Sequence, residues 1–270
     1  MTEGRLTVAD FQSISSKRKI VSLTAYTAPV AMALDPYCDM LLVGDSVAMV
    51  LYGMQGTQEA DLAMMIRHGK AVMSHSSQAM VIVDLPHGTY EHSVELAVQS
   101  SKTVIEKTGA CGVKLEGGVS ISPQIEAITS VGIPVLGHIG LLPQKFSQTS
   151  EFRITGKDAS EAEQLQKDAD AVTNAGAFGI VLEGIIEPVA HALSQSATIP
   201  LIGIGASPTC HGQILVTDDL IGLYADFTPK FVKQYANVQS IIQEAAQAYA
   251  EDVISHRFPD DSHCFWPSKK

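Results

Sequence analysis

The chain carries, at Val113-Lys114-Leu115-Glu116, a short run typical of a β-strand that ends in an acid. Three other runs have the same form: Leu41-Leu42-Val43-Gly44-Asp45, Val81-Ile82-Val83-Asp84 and Ile180-Val181-Leu182-Glu183. Nearly continuous apolar strands are typical of a parallel sheet that is covered on both faces. If such a sheet closes into a barrel, the carboxyl ends of its strands meet at one mouth, and the four acids face a common point.

Similar apolar runs recur along most of the chain and alternate with longer stretches of helical character. The predicted strands cover residues 20–25, 40–44, 80–85, 112–115, 134–139, 179–182, 200–204 and 220–224. The predicted helices cover residues 61–78, 93–108, 123–131, 160–175, 187–197 and 231–256. Eight strands alternating with helices predict an α/β fold, a single (β/α)8 TIM-type barrel with additional terminal helices.

The bulk composition is that of one large folded domain. Hydrophobic residues make up 46% and charged residues 17% of the 270 positions, so the chain can bury a large core. No linker, charge block or low-complexity tract divides it, which predicts one barrel domain over residues 1–270. Within it, residues 1–19 are expected to form an N-terminal extension and residues 231–270 a C-terminal helix and tail.

Charge and hydropathy narrow the range of partners. The formal net charge of -11 opposes binding to a phosphate backbone, so nucleic acid is not an expected partner. The first residues lack the apolar segment of a signal peptide, and no later segment is long enough to span a bilayer. We therefore expect a cytoplasmic protein with no membrane partner. The four cysteines are Cys38, Cys111, Cys210 and Cys264, and they form neither a CxxC pair nor the spacing of a zinc site. We therefore expect reduced thiols, each of which is either reactive or buried and inert.

Four carboxylates at one mouth would repel one another unless a positive charge were bound between them. Asp and Glu oxygens are hard ligands that suit Mg²⁺, which is held by few carboxylates and keeps positions for a substrate. The alternative is that each acid caps the helix that follows its strand, but recurrence on four strands favours the metal. The sequence therefore predicts a Mg²⁺ site at the mouth.

Two basic side chains extend this prediction. Lys114 and Glu116 are two residues apart on a strand and must point to the same face. Lys114 is then either a structural ion pair with Glu116 or the group that neutralises an anionic substrate. His138, near the end of another predicted strand, is a secondary candidate that could contact a ligand or be a structural histidine. Glu183, at the end of one of the four strands, is either catalytic or, in the alternative, a helix cap or a surface ion pair.

Taken in order along nearly the whole chain, these runs and several short motifs resemble the ketopantoate hydroxymethyltransferase family. The motifs are Gly44-Asp45-Ser46, Asp84-Leu85-Pro86, Val113-Lys114-Leu115-Glu116-Gly117-Gly118, Gly137-His138-Ile139-Gly140-Leu141-Leu142-Pro143-Gln144, Glu183 and Asp226-Phe227-Thr228-Pro229-Lys230-Phe231. The resemblance implies a TIM-type barrel of the phosphoenolpyruvate/pyruvate superfamily, one Mg²⁺ per subunit, a folate co-substrate and a homo-oligomer, commonly a decamer.

The resemblance also implies roles for the acids. Asp45 and Asp84 correspond to the metal-site carboxylates, and Glu116 completes the site directly or through water. Asp45, Asp84, Ser46 and Lys114 correspond to substrate contacts, and Glu183 to the general base. The implied reaction transfers a hydroxymethyl group from 5,10-methylenetetrahydrofolate to 3-methyl-2-oxobutanoate through a Mg-stabilised enolate. Its product is 2-dehydropantoate (ketopantoate), in pantothenate and coenzyme A biosynthesis.

The chain departs from the family pattern away from the acids, at Thr27, His87, Ser207 and His211 and in the segment 152–157. These departures concern the folate pocket and the segment over the site. Two alternatives stay open: a Mg-dependent carbon-carbon lyase or mutase on small 2-oxo acids, and a non-catalytic metabolite-binding paralogue. Lyases of this kind typically carry a loop of Lys-Arg-Cys-Gly-His type with a reactive cysteine, and its absence from the sequence favours the transferase. The intact acids argue against the non-catalytic paralogue.

Overall fold

The computed structural model describes residues 4–145, 153–223 and 228–267. Contacts divide the chain into two compact units, Met1–Thr217 and Asp218–Lys270, which are described separately. Residues 224–227, which include part of the last predicted strand and two residues of the Asp226 motif, lie outside the described residues.

The first unit is a closed barrel of eight parallel strands in sequence order, which confirms the predicted fold. The strands are β1 (Ile20–Thr24), β2 (Met40–Val43), β3 (Met80–Asp84), β4 (Gly112–Glu116), β5 (Val135–Gly140), β6 (Gly179–Glu183), β7 (Leu201–Ile204) and β8 (Gly212–Leu215). The register sets Lys114 beside Asp84, Glu116 beside His138, and Glu183 beside Gly140. Polar residues from neighbouring strands are therefore adjacent at the carboxyl ends.

The eighth strand corrects the prediction for residues 220–224. It lies at Gly212–Leu215, pairs with β1 on one side and with β7 on the other, and closes the barrel. The segment predicted as a strand instead includes the end of a short helix and Gly222, whose φ of 63° is left-handed. The true strand was missed because its sequence, Gly212-Gln213-Ile214-Leu215, carries only two apolar residues, and Gln213 points to solvent.

Several helices begin directly after a residue whose side chain caps the helix N-terminus. They are α1 (Val8–Ser15), α2 (Ala28–Leu34), α3 (Val47–Val50), α4 (Leu62–Met73), α5 (Val94–Thr108), α6 (Ser122–Ser130), α7 (Ala159–Asn174), α8 (Glu187–Ser196), α9 (Thr217–Leu220) and α10 (Val238–Ile254). The side chains of Asp61, Ser93 and Asp158 accept backbone N–H bonds at the starts of α4, α5 and α7. Five predicted helices are confirmed in the first unit, although α4 ends five residues earlier than expected.

The core has two layers. One lies between the strands and the surrounding helices, and the other fills the barrel interior. Inside the barrel, Ile82, Leu136 and Val181 are buried on β3, β5 and β6. Phe11 of α1 packs edge-on against Phe178 at 5.5 Å and joins this inner layer, so the N-terminal extension contributes to the core.

The inner layer leads directly to the polar mouth. Because side chains alternate along a strand, the residue two positions beyond each inward apolar residue also points inward. These following residues are Asp84 after Ile82, His138 after Leu136 and Glu183 after Val181. On these three strands, the inward-facing apolar residues are thus followed by polar side chains at the mouth of the barrel.

The second unit contains α10 and the tail. The side chain of Asn237 accepts the Ser240 N–H and begins the helix seven residues after the predicted start at residue 231. None of the residues of α10 is buried, and its apolar side chains Ile241, Ile242 and Ile254 are more than half exposed. This unit therefore carries a helix with a solvent-exposed apolar surface.

Candidate active site

A buried ion pair joins β3 and β4 at the mouth. Lys114 Nζ donates to Asp84 Oδ1 at 2.8 Å, and the two side chains are 5% and 3% exposed. Burial alone would lower the pKa of Lys114, but the charges of Asp84, Asp45 and Glu116 outweigh it and raise that pKa above its ordinary value. Lys114 is therefore a cation, and its partner is Asp84 rather than the Glu116 of the structural alternative.

Asp45 follows β2 and lies against this pair. Its backbone N–H donates to Asp84 Oδ2 at 3.1 Å, and its carboxylate accepts a hydrogen bond from Gln144. Burial and the charges of Asp84 and Glu116 hold the pKa of the Asp45 carboxyl well above its usual value. The position thus has more negative charge than the protein itself neutralises.

His138 stands between the other two acids. Its Nδ1 lies 3.4 Å from Glu116 Oε1, and its Nε2 lies 3.2 Å from Glu183 Oε2. Both ring nitrogens are buried without a partner that meets hydrogen-bond geometry among the described residues. Burial lowers the pKa of His138, but Glu116 and Glu183 outweigh burial and raise it to about 9. The imidazole is therefore charged near neutral pH and links the predicted base to the predicted metal side.

The balance of charges at the mouth favours a bound cation. With every group ionised, four carboxylates face two cations, Lys114 and His138, which leaves an excess of two negative charges. Across the described ranges, no three or more His, Cys, Asp or Glu side chains are grouped so that they could hold a metal ion. Asp45 and Asp84, two adjacent hard carboxylates, nevertheless match how Mg²⁺ is bound, with water and substrate filling its other positions.

Ser46 lies beside Asp45 at the start of α3. Its Oγ is 2.8 Å from the hydroxyl of Tyr26. Gly44 permits this packing, because a Cβ built there would lie 2.9 Å from Ser46 Oγ and 3.7 Å from Asp84 Oδ2. The Gly44-Asp45-Ser46 motif therefore places the serine hydroxyl next to the carboxylates.

The structure brings the predicted acids, Lys114 and His138 together through hydrogen bonds and short charge contacts, and it places Ser46 next to Asp45. It argues against the helix-cap alternative. Asp84 hydrogen-bonds with Lys114 and the Asp45 N–H, Glu116 with the Gln144 N–H. Within the described part of the chain, the side-chain N-caps are Thr7, Asp61, Ser93, Asp158, Asn237 and Asp260, and the four strand-end acids are not among them.

Two network residues were missed by the sequence analysis. Gln144 is 2% exposed and contacts both Asp45 and Glu116, while Tyr90 is 1% exposed and contacts Gln144. Gln144 stands in the Gly137 to Gln144 motif, which was used only for the resemblance. Its position after Pro143, in a single 3-10 turn, shows no periodicity that would mark it as buried.

In the part of the chain that the structure describes, the residues that depart from the family pattern form no hydrogen bond or ion pair with the site acids. His87 pairs with Glu91 at 2.9 Å on the surface. Ser207 is buried and donates to Glu187 at 3.0 Å, and His211 Nδ1 accepts the Leu201 N–H at 3.1 Å, so both have local structural partners. Thr27 precedes α2 without a side-chain capping bond.

The chain is similar over nearly its whole length to proteins of one known family. A family model described as ketopantoate hydroxymethyltransferase matches residues 5–261. A 3-methyl-2-oxobutanoate hydroxymethyltransferase from Paramagnetospirillum magneticum is 52% identical over 266 residues, covering 98% of this chain and 97% of the relative. A protein of the same name from Brucella canis is 49% identical over 265 residues, covering 98% and 96%.

Solved structures share the fold at low identity. A 2,3-dimethylmalate lyase gives a TM-score of 0.59 at 17% identity, covering 96% of this chain and 91% of the other. Phosphonopyruvate hydrolase in complex with oxalate and Mg²⁺ gives 0.57 at 13% identity, covering 97% and 92%. At these identities the likeness concerns the barrel fold alone.

None of the described helices is long and apolar enough to cross a membrane.

These findings decide between the alternatives left open by the sequence. The relatives that share about half of their residues with this chain are transferases, whereas the lyase and the hydrolase share only the fold. The chain is therefore an enzyme, and it belongs to the ketopantoate hydroxymethyltransferase family.

Proposed function

We propose that this enzyme transfers a hydroxymethyl group from 5,10-methylenetetrahydrofolate to 3-methyl-2-oxobutanoate and forms ketopantoate, the precursor of pantothenate and coenzyme A. The observation that carries the proposal is the cluster at the mouth of the barrel. Hydrogen bonds join Asp45, Asp84 and Lys114 there, Gln144 links Asp45 to Glu116, and ion-pair contacts of 3.4 Å and 3.2 Å place His138 between Glu116 and Glu183. This cluster combines a site for a divalent cation with a carboxylate base, which is what proton removal next to a ketone requires.

The metal side of the proposal assigns Mg²⁺ to Asp45 and Asp84, with Glu116 bound directly or through water. When bound, Mg²⁺ supplies a Lewis acid that withdraws charge from the 2-oxo acid. Glu116 accepts the Gln144 N–H at 3.0 Å, so one of its oxygens is already engaged. The fold is known to accept such a group, because the structurally similar phosphonopyruvate hydrolase was solved with oxalate and Mg²⁺.

The protein residues supply the remaining chemistry. Lys114 is held as a cation by Asp84 and offsets negative charge on the substrate. The Ser46 hydroxyl, positioned by Tyr26, is placed to hydrogen-bond the substrate carboxylate. Glu183, whose side chain is 20% exposed at the mouth, accepts the C3 proton of the substrate, while the His138 cation 3.2 Å away limits its movement. The carbanionic C3 then attacks the methylene carbon of the folate, and one carbon–nitrogen bond to that carbon breaks as its nitrogen takes the proton held by Glu183. Water displaces the second nitrogen, supplying the hydroxyl group of ketopantoate and the proton that completes tetrahydrofolate.

The experiment is a proton NMR time course in D₂O with Mg²⁺, 3-methyl-2-oxobutanoate and 5,10-methylenetetrahydrofolate. Wild-type enzyme should exchange the C3 proton and form ketopantoate. Glu183→Gln should lose about 10²- to 10⁴-fold in both rates, because the amide cannot accept the proton. Glu163→Gln is the matched control, since Glu163 is 68% exposed on α7 and pairs only with Lys167 there.

The two readouts separate the parts of the proposal. Exchange without product would leave the base and the metal side in place and refute the folate donor. Absence of both reactions in folded, metal-loaded protein would refute the proposed reaction as a whole.

We further propose that the enzyme is a homo-oligomer in the cytoplasm, with the decamer implied by the family resemblance. The support for this proposal in the structure is the exposed apolar surface of α10, which an isolated chain would leave in water. Light scattering coupled to size-exclusion chromatography tests it, and a monomer at micromolar concentration would contradict it.

A further inference from the structure

Gln144 uses every polar atom it has at the mouth of the barrel. Its backbone N–H donates to Glu116 Oε2 at 3.0 Å, and its carbonyl accepts the Gln58 side chain at 2.6 Å. Its side-chain Nε2 donates to Asp45 Oδ2 at 2.7 Å and to the Leu85 carbonyl at 3.0 Å. One buried residue thus contacts two of the three carboxylates assigned to the metal.

Tyr90 sets the orientation of the Gln144 amide. The Tyr90 hydroxyl accepts the Glu116 N–H at 3.2 Å and has two acceptors for its own proton: Gln144 Oε1 at 2.7 Å and the Glu116 carbonyl at 3.1 Å. The shorter of these two contacts is the one to Gln144. With Oε1 held by this hydroxyl, the two N–H groups of the amide must face Asp45 and the Leu85 carbonyl. The amide therefore presents a donor to the Asp45 carboxylate in one orientation only.

The network needs an amide at this position. A glutamate would place a further negative charge against Asp45, where the carboxylates already repel one another. A leucine of similar volume would leave the Tyr90 hydroxyl and the Leu85 carbonyl buried without this partner. A glutamine alone accepts from the tyrosine and donates to the carboxylate without adding charge.

We propose that Gln144 is a positioning residue that holds the Asp45 and Glu116 carboxylates in the arrangement that binds the divalent cation, and that Tyr90 fixes the orientation of its amide. This inference rests on the proposed function, because it concerns the same site. Gln144 does not contact the substrate in this scheme, and it acts through the two carboxylates. Groups that orient metal ligands in this way typically change metal affinity by 10–100-fold when they are removed.

The test measures Mn²⁺ binding by electron paramagnetic resonance in the absence of substrate. Gln144→Leu should weaken Mn²⁺ affinity by about 10–100-fold, while Tyr90→Phe, which removes only the hydroxyl, should weaken it less. Gln144→Leu should also weaken catalysis at subsaturating metal, and saturating Mn²⁺ should restore most of the C3 exchange rate. The control is Gln166→Leu, which deletes a Gln–Asp hydrogen bond of 2.9 Å on the surface of α7.

The outcomes separate this inference from the proposed function. If wild-type enzyme fails to bind Mn²⁺, the metal site is refuted and the inference falls with it. If wild type binds Mn²⁺ and folded Gln144→Leu and Tyr90→Phe bind it within twofold of wild type, only the inference is refuted. A lowered melting temperature with unchanged Mn²⁺ affinity would assign Gln144 a purely structural role and would overturn the proposal.

Discussion

Replacing Lys114 with methionine tests whether the carboxylates at the mouth of the barrel lie in a site of low dielectric, where they depend on a buried cation. Methionine keeps most of the apolar stem and removes only the charge and its hydrogen bonds. At the observed 2.8 Å from Nζ to Asp84 Oδ1, and with an effective dielectric constant of about 20, the gross attraction is about 6 kcal/mol. Desolvation of the two ions cancels part of it, so the relevant quantity is the cost of leaving Asp84 buried without its cation.

Removal of one partner from a buried ion pair typically costs about 3–5 kcal/mol. We expect about 3 kcal/mol for Lys114→Met, because the Asp45 N–H still donates to the other oxygen of Asp84. For a unit of this size, that loss corresponds to a fall in Tm of roughly 6–12 °C. Calorimetry or urea unfolding in EDTA measures it, and Mg²⁺ should recover part of the loss by replacing the missing positive charge.

The control for this variant is Lys102→Met on α5, where the side chain is exposed, and it should change stability by less than about 0.5 kcal/mol. A loss below about 1 kcal/mol for Lys114→Met would refute the reasoning. It would mean that water screens the pair and that the carboxylates are not in a site of low dielectric.

Three further variants or reagents test other parts of the structure. Asp45→Asn should make the metal-free protein more stable near pH 7 by about 1 kcal/mol while abolishing Mn²⁺ binding. Because folding raises the pKa of Asp45, the contribution of this residue to stability is fully present below its unfolded pKa of about 4. That contribution is lost as the pH rises through the folded pKa. Gly112→Ala should lower stability by about 1–3 kcal/mol, since a Cβ there would lie 2.5 Å from the Pro134 carbonyl oxygen. A thiol reagent should modify the exposed Cys264 in native protein, whereas burial, which raises the pKa of Cys38 to about 12, should protect that thiol.

Each of these has its own check. Unfolding of Asp45→Asn in EDTA across pH 4–8 should show the difference from wild type shrinking on acidification, and an unchanged difference would contradict the assigned cause. Gly56→Ala is the control for the glycine variant, because nothing lies within 4 Å of a Cβ at Gly56. Peptide mass spectrometry locates the modified thiol, and labelling of Cys38 in native protein would be inconsistent with its burial.

The barrel was predictable because its strands are buried on both faces. Seven strands fall within a residue or two of the predicted ranges, since continuous apolar runs such as Met80-Val81-Ile82-Val83 are typical of strands that are buried on both faces. The eighth was not predictable by that signal, because Gln213 faces solvent and the strand is defined by its hydrogen bonds to β1 and β7.

In the candidate site, too, some features follow from the local sequence and others depend on the tertiary structure. The sequence by itself determined that Lys114 and Glu116 share a face and that acids end four strands, because side-chain direction follows from strand periodicity. Only the tertiary structure decided that Lys114 pairs with Asp84, because the register between β3 and β4 sets that neighbour. It also brought Gln144 against Asp45, 99 residues away in the chain, since such a contact depends on barrel closure and not on any local pattern.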